Sequence, residues 1–412
     1  MAVSFVLSPE QEKLKVTMSE FAHVHLAPLA ERVRATPDPR EASALMREVH
    51  EKDVEAGVLR TMIPAELGGT AAGGIEAAIM WEELCTVMPD IMDTFGGAML
   101  ALGPVMTAGT PEQIERLIEP FLADSGAPTA ALAFSEPGGS ANYDAPPPAP
   151  GLQTRAELDG DEWVITGEKE WAAHLGGWDG IGPDLMVVVC RTPGGISMIA
   201  VERAHFEAGG LTVLEYDDTI GFRGTPTCRV RLDGVRVPRA NLIGHEGGGV
   251  ELTTQAFTVS AGAVAVLATS SMRAAFDDAF DFATREHRGG PVPVIEHRVV
   301  ADVLSDAKGR IEATRLLAWR ALDAAMGGSP SALEWCLHAK VLGSETAVDV
   351  INQLVRVVGI QAYNRSNPIM HRLFDALAYP IFEGGNISMR RRQLQGVMTA
   401  EGWDPLQASG MA

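Results

Sequence analysis

The spacing of apolar residues divides the chain into three stretches. From Ser8 to Leu122 apolar positions recur at helical spacing. Ser8-Pro9-Glu10-Gln11-Glu12 is a helix start, with a capping Ser, Pro in the first turn and acids beside it, and Phe5, Leu7, Leu14, Met18 and Phe21 supply the apolar face. Thr36-Pro37-Asp38-Pro39 breaks the pattern. Arg40 to Gly57 is a second helix, Ile75 to Thr86 a third carrying Ile79, Trp81 and Leu84, and Thr110-Pro111-Glu112-Gln113 opens a fourth. The period then shortens to two. Thr154 to Thr166 reads as a hairpin about Asp159-Gly160. Leu185 to Cys190 and Ile196 to Val201 read as strands joined at Pro193-Gly194-Gly195, followed by strands at Leu211 to Tyr216 and Cys228 to Val237. Asp144 to Pro150 is proline-rich and cannot join a ladder, so it is a loop. Beyond Asn241 helical spacing returns over Val250 to Arg288, Val299 to Met326, Ser331 to Val358 and Pro368 to Phe382. Long helices with short connections predict an antiparallel bundle. The expected architecture is mostly α with a middle β domain: a helical domain over residues 1–128, a β domain over 129–240 and a helical bundle over 241–412.

Composition narrows the partners. The chain has 412 residues and a net charge of −21, which argues against nucleic acid and against an anionic membrane surface. The first ten residues show no basic n-region or apolar h-region, and the most apolar run, Ala261 to Ala268, is too short to span a bilayer. Cys85, Cys190, Cys228 and Cys336 are scattered, without metal-ligand spacing, so no metal site is expected and the expected compartment is the reducing cytoplasm.

Several segments carry candidate chemistry. Tyr379-Pro380-Ile381-Phe382-Glu383-Gly384-Gly385-Asn386 sets one carboxylate among apolar residues, which disfavours its charged form and suits a general base for a weakly acidic C–H. Taken alone, it reads more readily as a surface Glu before a Gly-Gly turn. Phe134-Ser135-Glu136-Pro137-Gly138-Gly139-Ser140 offers hydroxyls and backbone N–H groups to a ring edge or phosphate, or is an ordinary turn. Trp171, after Glu168-Lys169-Glu170, either stacks on a flat cofactor or fills the core. Arg285, His287 and Arg288, and the run Arg390-Arg391-Arg392, suit phosphate recognition or a solvated helix face. Trp81, Met92, Phe95 and Met99 either line a tail pocket or fill the helical core. His174 and His297 read as structural or surface residues, and Cys228 has no neighbouring base to make it a nucleophile.

Together and in order, these segments resemble the acyl-CoA dehydrogenase family of flavoproteins. The matching blocks are Gly109 to Gln113 with Pro120-Phe121-Leu122, Phe134 to Ser140, Gly160 to Lys169 with Trp171, Gly221 to Pro238 with Asn241-Leu242-Ile243-Gly244, and Asn367 to Asn386. Each is weak singly; the ordered combination, running from Ser8 to Met398, is specific. The resemblance implies an N-terminal helical domain, a β-barrel-like middle domain and a C-terminal four-helix bundle. It implies FAD between the last two, partly held by a neighbouring subunit, hence a homodimer or homotetramer.

The resemblance also implies a reaction: α,β-dehydrogenation of an acyl thioester, carried on CoA or an acyl-carrier protein, within fatty acid metabolism. Glu383 would remove the α proton, hydride would pass to flavin N5, and an electron-transfer flavoprotein would take the electrons. Phe134, Ser135 and Ser140 would line flavin and thioester, with Phe382 and Gly384 also beside the substrate. Trp171 and Ala173 would lie against the isoalloxazine, and Gly385 and Asn386 near the adenylate. Arg285, Arg288, Arg356 and Gly359 stand in segments that meet cofactor, in part the neighbour's. The chain departs from the family pattern at Ala173, where Thr is usual, at Arg356, where Gln is usual, and at Val259-Ser260-Ala261-Gly262, which lacks an Arg that positions CoA. These departures leave two alternatives: a flavin monooxygenase or oxidase on the same fold, or a non-catalytic homologue.

Overall fold

The computed structural model describes residues 6–146, 148–225 and 227–408; Phe5 of the expected first apolar face, Pro147 of the proline-rich loop and Pro226 of the Gly221–Pro238 block lie outside them. Helix α1 (Pro9–Phe21) begins as its sequence predicts. The Gln11 N–H donates to the Ser8 hydroxyl at 3.2 Å and the Ser8 N–H to Gln11 Oε1 at 2.9 Å, a reciprocal cap. A π turn at Ala22–Leu26 carries it into α2 (Ala27–Ala35). Asp38 then caps α3 (Pro39–Glu55), and α4 (Gly74–Val87), α5 (Asp90–Ala108) and α6 (Pro111–Ile118) complete the first stretch.

The middle stretch is one mixed sheet. Its strands are β1 (Ala130–Ala133), β2 (Arg155–Asp159), β3 (Glu162–Lys169), β4 (Leu185–Thr192), β5 (Gly195–Glu202), β6 (Leu211–Tyr216), β7 (Cys228–Pro238) and β8 (Leu242–Ile243), with a short α7 (Arg203–Glu207) between β5 and β6. The order is β6-β7-β3-β2-β4-β5-β8, and β1 pairs parallel to β4. The β2–β3 hairpin pairs Asp159 with Glu162 about Gly160, whose φ of +65° explains the glycine there. Strand β4 is buried on both faces. Leu185, Val187 and Val189 join the core shared with the helices, while Met186, Val188 and Cys190 join Trp163, Ile165 and Val230 in a second core inside the sheet.

The last stretch holds α8 (Gly249–Arg285), α9 (Arg298–Met326), α10 (Ala332–Val358) and α11 (Pro368–Ala378), packed on one another as a bundle, then α12 (Arg391–Met398) and α13 (Pro405–Ala408). Helices α5 and α8 are long and apolar enough to span a bilayer by length and composition alone, but 50% and 61% of their most apolar windows are buried within the protein. The sequence placed the end of α11 at Phe382. It ends at Ala378, and the chain then leaves helical geometry until a π turn at Asn386–Arg390.

Candidate active site

A cavity of about 2250 Å³ opens where the three stretches meet. A pocket for one drug-sized ligand is roughly 300–1,000 Å³, so there is room for a large cofactor and a substrate together. Helices α4 and α5 supply Trp81, Met92, Asp93 and Met99 to the wall. The sheet supplies the Phe134–Ser140 turn, Trp171, Ala173 and Thr225; α8 supplies Phe257 and Ser260; the segment after α11 supplies Phe382, Glu383, Gly384 and Gly385. The fold therefore brings together Phe134, Ser135, Ser140, Trp171, Ala173, Phe382, Glu383, Gly384 and Gly385. Phe95 is core. Trp81 and Met92 are both buried and cavity-lining.

Glu383 sits at the apex of the irregular segment with φ +50°, a left-handed conformation that costs a non-glycine residue about 1–2 kcal/mol. Its Oε2 is sealed from solvent and has no hydrogen-bond partner among the described residues. Burial raises the carboxyl's pKa, against a hydrogen bond from Ser260 and the charges of Arg390 and Lys340. The backbone is held from beneath. Arg390 Nε donates to the Glu383 carbonyl oxygen at 2.9 Å and Nη1 donates to Gln393 Oε1 at 2.9 Å, with the guanidinium 5.6 Å from the Phe257 ring centroid. Gly384 is required for this contact: its φ is +76°, and a Cβ there would stand 2.7 Å from Arg390 Nε.

The Phe134–Ser140 turn is anchored by a buried ion pair. Lys169 Nζ donates to Glu136 Oε1 at 3.1 Å and to the carbonyls of Phe134 and Val189 at 3.0 and 2.8 Å. Burial opposes the ionised Glu136, but the Lys169 charge and N–H donors from Thr154 and Gln153 outweigh it and hold the carboxyl below its ordinary range. The Ser140 hydroxyl accepts from the Glu136 N–H at 3.0 Å. Phe134 packs edge-on to Tyr143 and Phe257. Trp171 is 57% exposed on the cavity wall with φ +67°. A large indole held open by a left-handed backbone, beside a Gly-rich turn of N–H groups, suits the flat ring system and phosphates of a dinucleotide such as FAD.

Other candidates lie elsewhere. Asn386 is buried off the cavity, its amide accepting from Lys340 Nζ at 2.9 Å and donating to Ser344 Oγ at 3.0 Å. Arg285 pairs with Asp281, Arg288 donates to the Val358 carbonyl at 2.8 Å, and Arg356 and Gly359 are exposed at the end of α10. Arg285 stands roughly 35–40 Å along α8 from Ser260 at 1.5 Å per residue, so these residues do not reach the cavity of their own chain. His174 is buried and His297 exposed, and burial pushes the Cys228 thiol up to about 12.

Two residues beside Glu383 were missed by the sequence: Ser260 carried no role there, and Arg390 was read as a phosphate or solvent-facing arginine, which its burial corrects. Ser260 lines the cavity beside Glu383, its hydroxyl donating to the Phe257 carbonyl at 3.3 Å, in the segment noted only for a missing Arg. Arg390 belongs to the Arg390-Arg391-Arg392 run, yet it is 1% exposed while its two neighbours face solvent. Its signal was available: Arg390 falls seven residues after Glu383, where the chain re-enters helical geometry.

Models of the acyl-CoA dehydrogenase N-terminal, middle and C-terminal domains match residues 8–125, 131–235 and 247–398. The chain is 40% identical over 368 residues to nitroalkane oxidase from Podospora anserina, covering 85% of each chain. It is 33% identical to nitroalkane oxidase from Fusarium oxysporum, covering 99% of this chain and 97% of that one. It is 28% identical to the mitochondrial short-chain specific acyl-CoA dehydrogenase of Bos taurus, covering 92% of this chain and 88% of that one. The solved Podospora enzyme superposes with a TM-score of 0.94 at 36% identity, over 99% of this chain and 100% of that one. Solved nitroalkane oxidases with TM-scores of 0.94 to 0.95 at 32% identity, over 100% of both chains, include an active-site Asp-to-Asn mutant with 1-nitrooctane and an active-site Ser-to-Ala mutant with 1-nitrohexane. Another concerns the roles in the reaction of that aspartate and an arginine seven positions after it.

Proposed function

The chain belongs to the acyl-CoA dehydrogenase family of flavoproteins, and from that premise we propose that it is an FAD-dependent oxidase of nitroalkanes in which Glu383 removes the α proton. As a flavin oxidoreductase of this family it takes FAD. The residues fit that cofactor: the open face of Trp171, the Phe134–Ser140 turn and a cavity with room to spare. Bound FAD supplies the two-electron oxidation. The chain's own residues prepare the carbon. Glu383, made more basic by burial, has Oε2 sealed from solvent and accepts a proton only when ionised. Ser260 lies beside the carboxyl and favours its ionised form, and Arg390 fixes its backbone. The spacing of Glu383 and Arg390 equals that of the aspartate and arginine studied in the nitroalkane oxidase. A nitro group makes the adjacent C–H acidic by spreading the negative charge over two oxygens, so no thioester is needed.

The observation that carries this reading over a CoA thioester is the charge of the wall. Among the described residues lining the cavity, Arg229 is the one Lys or Arg, and it is paired with Glu168 at 2.9 Å, whereas Glu66, Asp93, Asp218 and Asp323 also line it. CoA phosphates would find carboxylates and one occupied guanidinium. A second reading, dehydrogenation of an acyl thioester with an electron-transfer flavoprotein as acceptor, is supported by the base being Glu and by the likeness to the bovine dehydrogenase. Anaerobic mixing of FAD-loaded protein with 1-nitrobutane and with butyryl-CoA separates them. The expected result is reduction of the flavin by the nitroalkane alone and, in air, O2 consumption with nitrite formation. Reduction by butyryl-CoA alone overturns the proposal. We also place the chain in the cytoplasm, on the strength of its free, buried cysteines. We further place it in a homo-oligomer where Arg288, Arg356 and Gly359 meet a neighbour's cofactor.

A further inference from the structure

The segment bearing Glu383 begins with helix-type bonds, the Ile381 and Phe382 N–H groups donating to the Ala378 carbonyl at 2.8 and 2.9 Å, and is then gripped from the side by α10. Lys340, 0% exposed, stands in the first half of that helix. Its Nζ donates to the Tyr379 carbonyl at 2.8 Å and to Asn386 Oδ1 at 2.9 Å, the first and last residues of the segment. The Asn386 N–H donates back to the Pro380 carbonyl at 2.9 Å, and its side-chain amide donates to Ser344 Oγ at 3.0 Å and Glu345 Oε1 at 3.1 Å. Lys340 thus grips both ends of a closed loop whose apex is Glu383, while Ser344 and Glu345, about one turn further along α10, hold its Asn386 end. A left-handed non-glycine residue persists only where its surroundings over-determine it.

We propose that Lys340 is a positioning residue for the base: it clasps the two ends of the Tyr379–Asn386 segment and lends Glu383 a compensating positive charge. The inference rests on Glu383 being the base. A Lys filling a core position of a helix is costly against neutral acceptors, and a Leu or Met would fill the space. The charged groups facing Lys340 are Glu383 from the segment, Glu345 from its own helix and Arg390 from the π turn, with Glu345 engaged by Arg391 of α12 at 2.7 Å. Burial first, then Arg390, brings the Lys340 pKa down to about 7, against Glu383 and Glu345. A neutral amine keeps two N–H groups for two acceptors, so the clasp survives loss of the proton and only the charge changes.

The test uses FAD-loaded Lys340→Met, Lys340→Gln, Asn386→Ala and Glu383→Gln, with flavin reduction by 1-nitrobutane followed against pH. The Lys340 variants are expected to keep FAD, to lose about tenfold or more in kcat with little change in KM, and to move the ascending limb of kcat/KM to higher pH, because the carboxylate has lost a cationic neighbour. Asn386→Ala keeps the ammonium and frees one end of the loop, so kcat falls while the limb stays. An unmoved limb in the Lys340 variants overturns the inference, as does an unchanged kcat in Asn386→Ala, which decides the matter if neither Lys340 variant accumulates. Reduction retained in Glu383→Gln sinks the base reading itself, a result distinct from either. Melting without substrate gives an independent arm. Between about 7 and its ordinary 10.5 the unfolded lysine binds the extra proton, so wild-type stability gains as pH rises through that window. The Lys340 variants should lack that gain.

Discussion

Ionisable groups are buried in two regions, and they are buried differently. Around the Glu383 segment the cations are partnered: Lys340 donates to Tyr379 and to the Asn386 amide, Arg390 donates to the Glu383 carbonyl, and Glu383 Oε2 is the orphan beside them. In the seam between α3 and the sheet, His50, Asp53 and His174 leave polar atoms unpaired, although His50 Nε2 meets the Pro128 carbonyl at 2.7 Å. His50 stacks on Phe95 at 4.7 Å and His174 meets Trp178 edge-on at 4.8 Å. His50 Nδ1, both His174 nitrogens and both Asp53 oxygens have no hydrogen-bond partner among the described residues. Burial brings His50 down to about 4 and His174 to about 3, so both imidazoles are neutral at pH 7, and it raises the Asp53 carboxyl well above its ordinary range. A fold tolerates a buried ionisable group by pairing it or by keeping it uncharged. The first region keeps charge where chemistry needs it; the second relinquishes charge and acts as packing.

That contrast breaks most visibly at Glu383. Glu383→Gln should lower the rate of flavin reduction by about 10²–10⁴-fold while FAD stays bound; stopped-flow reduction measures it, and in the wild type kcat/KM should climb with pH through a value above the ordinary glutamate pKa. Arg390→Lys comes next. A compact ammonium cannot reproduce the forked grip on the Glu383 carbonyl, and kcat should fall by roughly 10–100-fold with FAD content unchanged; wild-type turnover in that variant would detach Arg390 from the reaction. In the other region the effects concern stability. The unfolded histidines, with ordinary values of 6.5, bind protons that His50 and His174 refuse in the fold, so stability should drop as pH falls from 6.5 toward 4. His174→Phe should flatten that loss in pH-dependent melting and leave turnover within about twofold. Smallest is Asp53→Asn. The raised carboxyl loses stability as pH rises above its unfolded value, so the amide should gain about a degree or two in Tm at pH 8 and nothing at pH 4.

The three-part organisation was legible because helical and strand periods alternate over long runs, and the ordered blocks fixed the family. Helix α5 was not read as a helix although Met92, Phe95 and Met99 were noted on it, because a helix apolar around much of its circumference shows no stripe. Strand β1, Ala130–Ala133, is buried on both faces and so lacks alternation. Glu383 was legible as a candidate base, but the residues that hold its segment were not. Lys340 shares a stripe with Cys336, Ser344, Ala347 and Ile351 that the structure buries; a lysine on such a stripe was the available signal. Arg390 was hidden by Arg391 and Arg392, since a run of like residues conceals the one turned inward. The likeness to nitroalkane oxidases and the charge of the cavity wall moved the proposed substrate from thioester toward nitroalkane, and no single motif encodes that distinction.

The cavity has walls from all three stretches of the chain, and this has a consequence for how the protein matures. A ligand that binds only the assembled state adds its binding free energy to that state alone. FAD would therefore act as a latch on assembly: no single stretch could hold it, and the yellow colour of a preparation would count the chains whose three parts have docked correctly.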